Sequence, residues 1–421
     1  MKKPVLLWQS QSSSIHTGYG VISNDILRRL HATNKYEIIN CCWYDPPATS
    51  PKYPYESIMS GNFPFKVVTT GAAGTEATDM RHGQKNIKEL IEIYKPDITV
   101  FFADIYMYQY IVNIPETANT HLVMYYPVDG LPLPPEWISV LRKADTVITY
   151  NKFGEIVNNQ FFPNNSHMIY HGIDYPFWAK PIPSFLVEAK KKEMFGTDDV
   201  FVWGMVARNN PRKNIPVFYE TFAQHVKTNP KARLLMHACN LDFGWNMERL
   251  AIEYGIKDKV YLTPGLTPQK GVSPEDLRLL YNTMDYHVNT AWGEGFCIPI
   301  IESLACGVPN LVTNYTVGKE FITDTNSGEC IRVALYATEQ QTHIRRAYVD
   351  PRDLLEKMNR LYANKYDKTI DKYNKTRWIY SKNAKTMAAQ FNWPAIIPAW
   401  ENALDTIMAN KQTYPVLSEV I

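Results

Sequence analysis

The chain has 421 residues, 45% apolar and 20% charged, which suits a globular protein of two or three domains. Its formal net charge of +2 gives no strong pull toward nucleic acid or an anionic membrane. Cys41, Cys42, Cys239, Cys297, Cys306 and Cys330 show no zinc spacing and fit a reducing compartment. There is no run of about 18 apolar residues for a membrane span. The N-terminal apolar stretch is too short for a signal peptide, so a cytoplasmic location is expected.

In chain order, "PVLLWQS" (4–10) predicts a buried strand, "SSSIHTGYG" a glycine loop and "VISNDILRRLHAT" a helix, the opening of a βαβ unit. The alternation continues. "YEIINCCWY", "FKVVTTG", "DITVFFAD", "THLVMYYPVDG" and "DTVITYN" predict strands, and the chain then leads to "HMIYHGID". "GQKNIKELIEIYKP", "PEWISVLRKA" and "KFGEIVNNQFF" predict helices. Prolines and lysines cluster over 175–197, which reads as a solvated connector and places the domain boundary. The pattern then restarts with the strand "VFVWGMVAR" and the helix "NIPVFYETFAQHVKTNP". "ARLLMHAC" and "KVYLTPG" follow as strands, "WNMERLAIEYG" and "SPEDLRLLYNTM" as helices, the last capped by Ser273. "DYHVNTAW" predicts a further strand. The fold class expected is α/β, with two doubly wound, Rossmann-like domains facing across a cleft.

The segment "WGEGFCIPIIESLACGVPN" carries most of the chemistry. It predicts a turn and then a short helix with Pro299 in its first turn and Gly307 just past its end. The amides of Phe296, Cys297 and Ile298 then face out of a helix N-terminus, where an anion can be held. Glu294 lies before those amides and Glu302 about one turn into the helix. A nucleotide sugar, with phosphates in the middle and hydroxyls on both sides, would satisfy the set; solvated helix-end charges are the alternative. Arg208 and Lys213, just after the first strand of the second half, could reach a diphosphate or be ordinary surface charge. The Gly18-Tyr19-Gly20 loop lets backbone approach a ligand, or is a plain tight turn, and His16 stands beside it.

"EGFCIPIIESLACGVP", "VARNNPRKN", "IYHGIDYPFW" and "TGYG" together resemble the retaining glycosyltransferases of family 4, which have the GT-B fold. The resemblance implies transfer of a sugar from a nucleoside diphosphate, such as a UDP- or GDP-sugar, to an acceptor hydroxyl with retention and without a metal. It implies that Glu294 contacts the sugar hydroxyls and Glu302 the ribose, while Arg208 and Lys213 neutralise the diphosphate. It further implies an acceptor-side domain over 1–177, completed by a C-terminal helix at 390–421, and a donor-side domain over 178–389. Trp393 and Trp400 of that helix are then core anchors. Two departures stand out: Cys297 replaces the family's usual Gly, and "HLVMYYPVDG" lacks the His that many relatives carry there. Asp129 is the candidate replacement, or a plain turn aspartate. No cofactor beyond the donor is expected. The acceptor stays open among glycan, small molecule and modified nucleic-acid base. Rival readings are a nucleotide-sugar epimerase, a phosphorylase and a non-catalytic nucleotide- or glycan-binding partner subunit.

Overall fold

A computed structural model describes residues 2–15, 17–45, 62–72, 82–84, 87–267, 271–366 and 372–413. The chain divides into two compact units. The first comprises residues 1–127, 133–172 and 393–421, the second residues 128–132 and 173–392.

The first unit is built on seven parallel strands: β1 (Val5–Gln11), β2 (Glu37–Asp45), β3 (Lys66–Ala72), β4 (Ile98–Phe102), β5 (His121–Tyr125), β6 (Thr146–Thr149) and β7 (Ser166–Met168). Their order is β3-β2-β1-β4-β5-β6-β7, so the winding reverses between β1 and β4. β1, β4 and β6 are buried along their whole length, as sheets covered on both faces require. The helices are α1 (Gly18–Ala32), α2 (Ile87–Tyr94), α3 (Pro135–Leu141) and α4 (Lys152–Phe161).

The second unit begins with α5 (Tyr175–Trp178) and α6 (Ser184–Phe195). The expected connector is therefore partly helical. α6 escaped detection because none of its residues is buried, so it carries no apolar stripe to read. The second parallel sheet is formed by β8 (Phe201–Val206), β9 (Ala232–His237), β10 (Val260–Leu262), β11 (Tyr286–Asn289), β12 (Asn310–Thr313) and β13 (Gly328–Ile331). Its order is β10-β9-β8-β11-β12-β13, and its winding reverses between β8 and β11. An antiparallel hairpin, β14 (Val333–Thr338) and β15 (Arg345–Val349), stands apart from this sheet. The helices are α7 (Ile215–His225), α8 (Met247–Glu253), α9 (Pro274–Thr283), α10 (Ile298–Ala305), α11 (Pro351–Tyr366) and α12 (Lys372–Ala389). The core is aromatic and aliphatic, with Phe201, Trp203, Phe218, Phe222 and Tyr286 packed on the sheet.

The last helix, α13 (Trp393–Thr413), belongs to the first unit. Trp400 is fully buried, with its ring centroid 5.4 Å from Trp8 and 4.8 Å from Tyr125. Trp393 is 2% exposed and lies so close to Gly172 that a Cβ there would sit 2.4 Å from the indole. Among the described residues, no helix is long and apolar enough to cross a membrane.

Candidate donor site

In doubly wound sheets ligands sit outside the carboxyl ends of the strands where the winding reverses. In the second unit that place lies beyond β8 and β11, and the loops after these two strands are stitched together. Trp292 donates its amide to Arg212 O (2.9 Å), and the Thr290 hydroxyl donates to Lys213 O (3.0 Å). The 3-10 turn Pro211–Lys213, closed by Asn214 in the left-handed region (φ 49°), turns two consecutive cations toward the loop after β11.

Those cations meet Glu294. Lys213 Nζ and Asn289 Nδ2 donate to Oε1 (2.5 and 3.1 Å), and Arg212 Nη1 donates to Oε2 (2.8 Å). Arg212 also donates to Gly293 O, and the Glu294 amide donates to Thr316 Oγ1 (3.0 Å). Glu294 is 5% exposed. Burial alone would push its carboxyl up, but Lys213 and Arg212 outweigh it and hold the group well below the usual carboxylate range. Glu294 is thus a fixed anion carrying two cations on one side of a helix N-terminus.

That helix is α10. Its cap, Cys297, has φ 66°, and Pro299 occupies the first turn. Pro299 has no amide hydrogen, and the Ile300 amide turns back to Cys297 O (2.9 Å). The amides of Cys297 and Ile298 have no hydrogen-bond partner among the described residues, so they are the donors this end can offer an anion. Phe296 is buried, its ring edge-on to Phe321 and Phe391. The left-handed backbone at 297 explains why Gly suits this position. Burial pushes the Cys297 thiol up to about 12, so it is protonated at neutral pH and unsuited to nucleophilic work.

Glu302, farther along α10, accepts from the Tyr281 hydroxyl (2.8 Å). Burial raises its carboxyl to about 7, only partly opposed by that hydroxyl. The two glutamates therefore differ: Glu294 is locked in its ionised form, whereas Glu302 changes charge near neutrality.

The remaining candidates fall elsewhere. Arg208 extends from the end of β8 to Asp242 (2.9 Å) and stacks over Phe243 (5.1 Å). Arg212, which the sequence reading passed over, takes the place beside Lys213. Asp129 lies on residues 128–132, where Arg346 donates to its Oδ1 (2.8 Å) and Arg212 Nε stands 3.8 Å from its Oδ2. Gly18, Tyr19 and Gly20 are not a loop but the first turn of α1, because the Thr17 hydroxyl caps it by accepting from the Gly20 amide (3.1 Å). Gly20 is required by close packing: a Cβ would lie 2.5 Å from Ile15 O, while one at Gly18 meets open space. Tyr19 packs edge-on to Phe102 (5.0 Å). His16 lies outside the described residues. Arg212 could have been found from its adjacency to Lys213; Asn289, Thr316 and Arg346 carry no local signal.

Residues 187–368 match the family model of the glycosyl transferases group 1. Sucrose-phosphate synthase from Thermosynechococcus elongatus superposes with a TM-score of 0.71 at 15% identity, over 97% of this chain and 100% of that one. Anabaena HepE, in complex with UDP and glucose, gives 0.69 at 17% identity, over 96% and 100%. WaaG, a glycosyltransferase involved in lipopolysaccharide biosynthesis, gives 0.64 at 14% identity, over 96% and 99%. No curated protein sequence matches the chain. The two Rossmann-like units have the GT-B fold. Together with the family match over residues 187–368 of the second unit, that fold supports a glycosyltransferase.

Proposed function

We propose that the chain transfers a sugar from a nucleoside diphosphate to an acceptor hydroxyl with retention of anomeric configuration. The observation that carries this reading is the Lys213–Glu294–Arg212 cluster beside the two uncommitted amides of α10. A diphosphate at those amides draws on both cations, which neutralise charge building on the leaving group as the C1–O bond breaks. No divalent ion is required for that step. Arg208 joins them by exchanging Asp242 for a phosphate oxygen. Glu294, relieved of part of its pairing, accepts from the sugar hydroxyls, and Glu302 accepts from the ribose. Retention follows from departure and attack on the same face of the sugar, with the acceptor proton passing to the leaving phosphate oxygen. All six cysteines are free thiols, which suits a reducing compartment and a cytoplasmic enzyme. UDP-sugars are the first donors to try, since HepE binds UDP and UDP-glucose.

The test is a panel of UDP-, GDP- and ADP-sugars, with and without EDTA, following nucleoside diphosphate release and, by NMR, the first anomer of the freed sugar. One donor turned over slowly, unaffected by EDTA and with its configuration kept, is the expected result. An inverted first anomer overturns retention. Sugar interconversion without diphosphate release favours an epimerase.

A further inference from the structure

Arg346, on β15, is 5% exposed, and a guanidinium so deeply placed is costly unless its donors are met. They are met by two carboxylates. Nη1 donates to Asp129 Oδ1 (2.8 Å) and to Asp129 O (3.2 Å), while Nη2 and Nε donate to Glu339 Oε2 (2.9 and 3.2 Å). Asp129 Oδ2 faces Arg212 Nε at 3.8 Å, and Arg212 in turn holds Glu294. Charges therefore alternate along one line: Glu339, Arg346, Asp129, Arg212, Glu294, Lys213.

The backbone carrying Asp129 is pinned to the same hairpin. Leu131 and Arg345 form an antiparallel bridge, with the Arg345 amide donating to Leu131 O (2.7 Å). A Cβ on Gly130 would lie 2.4 Å from Ile344 Cγ2, and one on Gly293 would lie 2.0 Å from Asp129 O. Asp129 thus has a fixed backbone and a carboxylate placed between two guanidinium groups.

We propose that Arg346 is a positioning residue of the donor site. This rests on the nucleotide-sugar reading above. By holding Oδ1, Arg346 keeps Asp129 Oδ2 at 3.8 Å from Arg212 Nε, so Asp129 competes little with a diphosphate for that guanidinium. Without Arg346, Asp129 keeps Arg212 as its near cation. The carboxylate then draws that guanidinium into direct contact and competes with the phosphate for it. Asp129 acts as a brake on Arg212, and Arg346 holds the brake off.

A double-mutant cycle on the full chain tests this, with UDP, GDP and ADP as calorimetric probes and a thermal melt for every variant. Arg346→Met is expected to weaken nucleotide binding about tenfold, within the range for coupled neighbours. Asp129→Asn should stay within about threefold of wild type, and the double variant within about threefold of Asp129→Asn. Loss of affinity to the same factor in both backgrounds means that Arg346 only supports the hairpin, and overturns the inference. If Arg346→Met does not fold, Arg346→Lys, a point charge able to serve one carboxylate well, enters the same cycle with the same criterion. Wild type that binds none of the three nucleotides removes the nucleotide-sugar reading itself, and the inference with it.

Discussion

At Cys297 the chain adopts φ 66°, a region that costs an L-residue about 1–2 kcal/mol and glycine almost nothing. Its thiol recovers part of that by accepting from Asn289 Nδ2 (3.1 Å). Cys297→Gly should therefore keep or raise the urea midpoint; a loss above about 1 kcal/mol would make the thiol a structural anchor. Glu302 offers a pH test. Its folded carboxyl titrates near 7 because it is buried, above the roughly 4.3 of an unfolded glutamate. The sign follows: stability from this group is full below about 4.3, declines as pH rises, and is lost once pH passes 7. On the proposed reading ribose hydroxyls donate to the ionised form, so nucleotide binding near pH 6.5 should release a proton. Calorimetry in buffers of different ionisation enthalpy should show this for wild type and not for Glu302→Gln. Equal buffer dependence in both would remove Glu302 from the nucleotide site.

At the scale of elements, parallel strands such as β1 and β8 were legible because strands buried on both faces read as unbroken apolar runs. α10 was legible from Pro299 and Gly307, which bound it as observed. β12 to β15, α11 and α12 drew no reading. The hairpin exposes Leu335 and Tyr336 at 54% and 45%, so its apolar residues do not mark a core face. β11 is shorter than expected because residues 290–292 turn to bond the loop after β8. α13 announced itself by its tryptophans, and Trp400 fills a pocket of the first unit between Trp8 and Tyr125. Trp400→Ala should cost about 3–5 kcal/mol in denaturant unfolding. A loss under about 1 kcal/mol would mean that α13 contributes little to that core.

At the scale of the molecule, the repeated strand–helix alternation sufficed for two Rossmann-like units, since periodicity survives in a single sequence. The candidate cluster was legible only where its residues are close in sequence. Glu294, Glu302 and Lys213 fall in short motifs, whereas Asp129 and Arg346 meet across 217 residues, a pairing that no local pattern reveals. Spacing after a strand pointed to Arg208, which pairs with Asp242, while the turn at Pro211 also brings Arg212 round to Glu294, which no spacing announced. The central claim is that Glu294 holds the diphosphate-binding cations and then serves the sugar. The most direct measurement pairs UDP affinity with the rate of nucleoside diphosphate release, in wild type and in Glu294→Gln. Removing the carboxylate's charge frees Lys213 and Arg212, so the variant should bind UDP at least as tightly as wild type. Its release rate should fall at least about a hundredfold. Unchanged release with unchanged affinity would contradict the assignment.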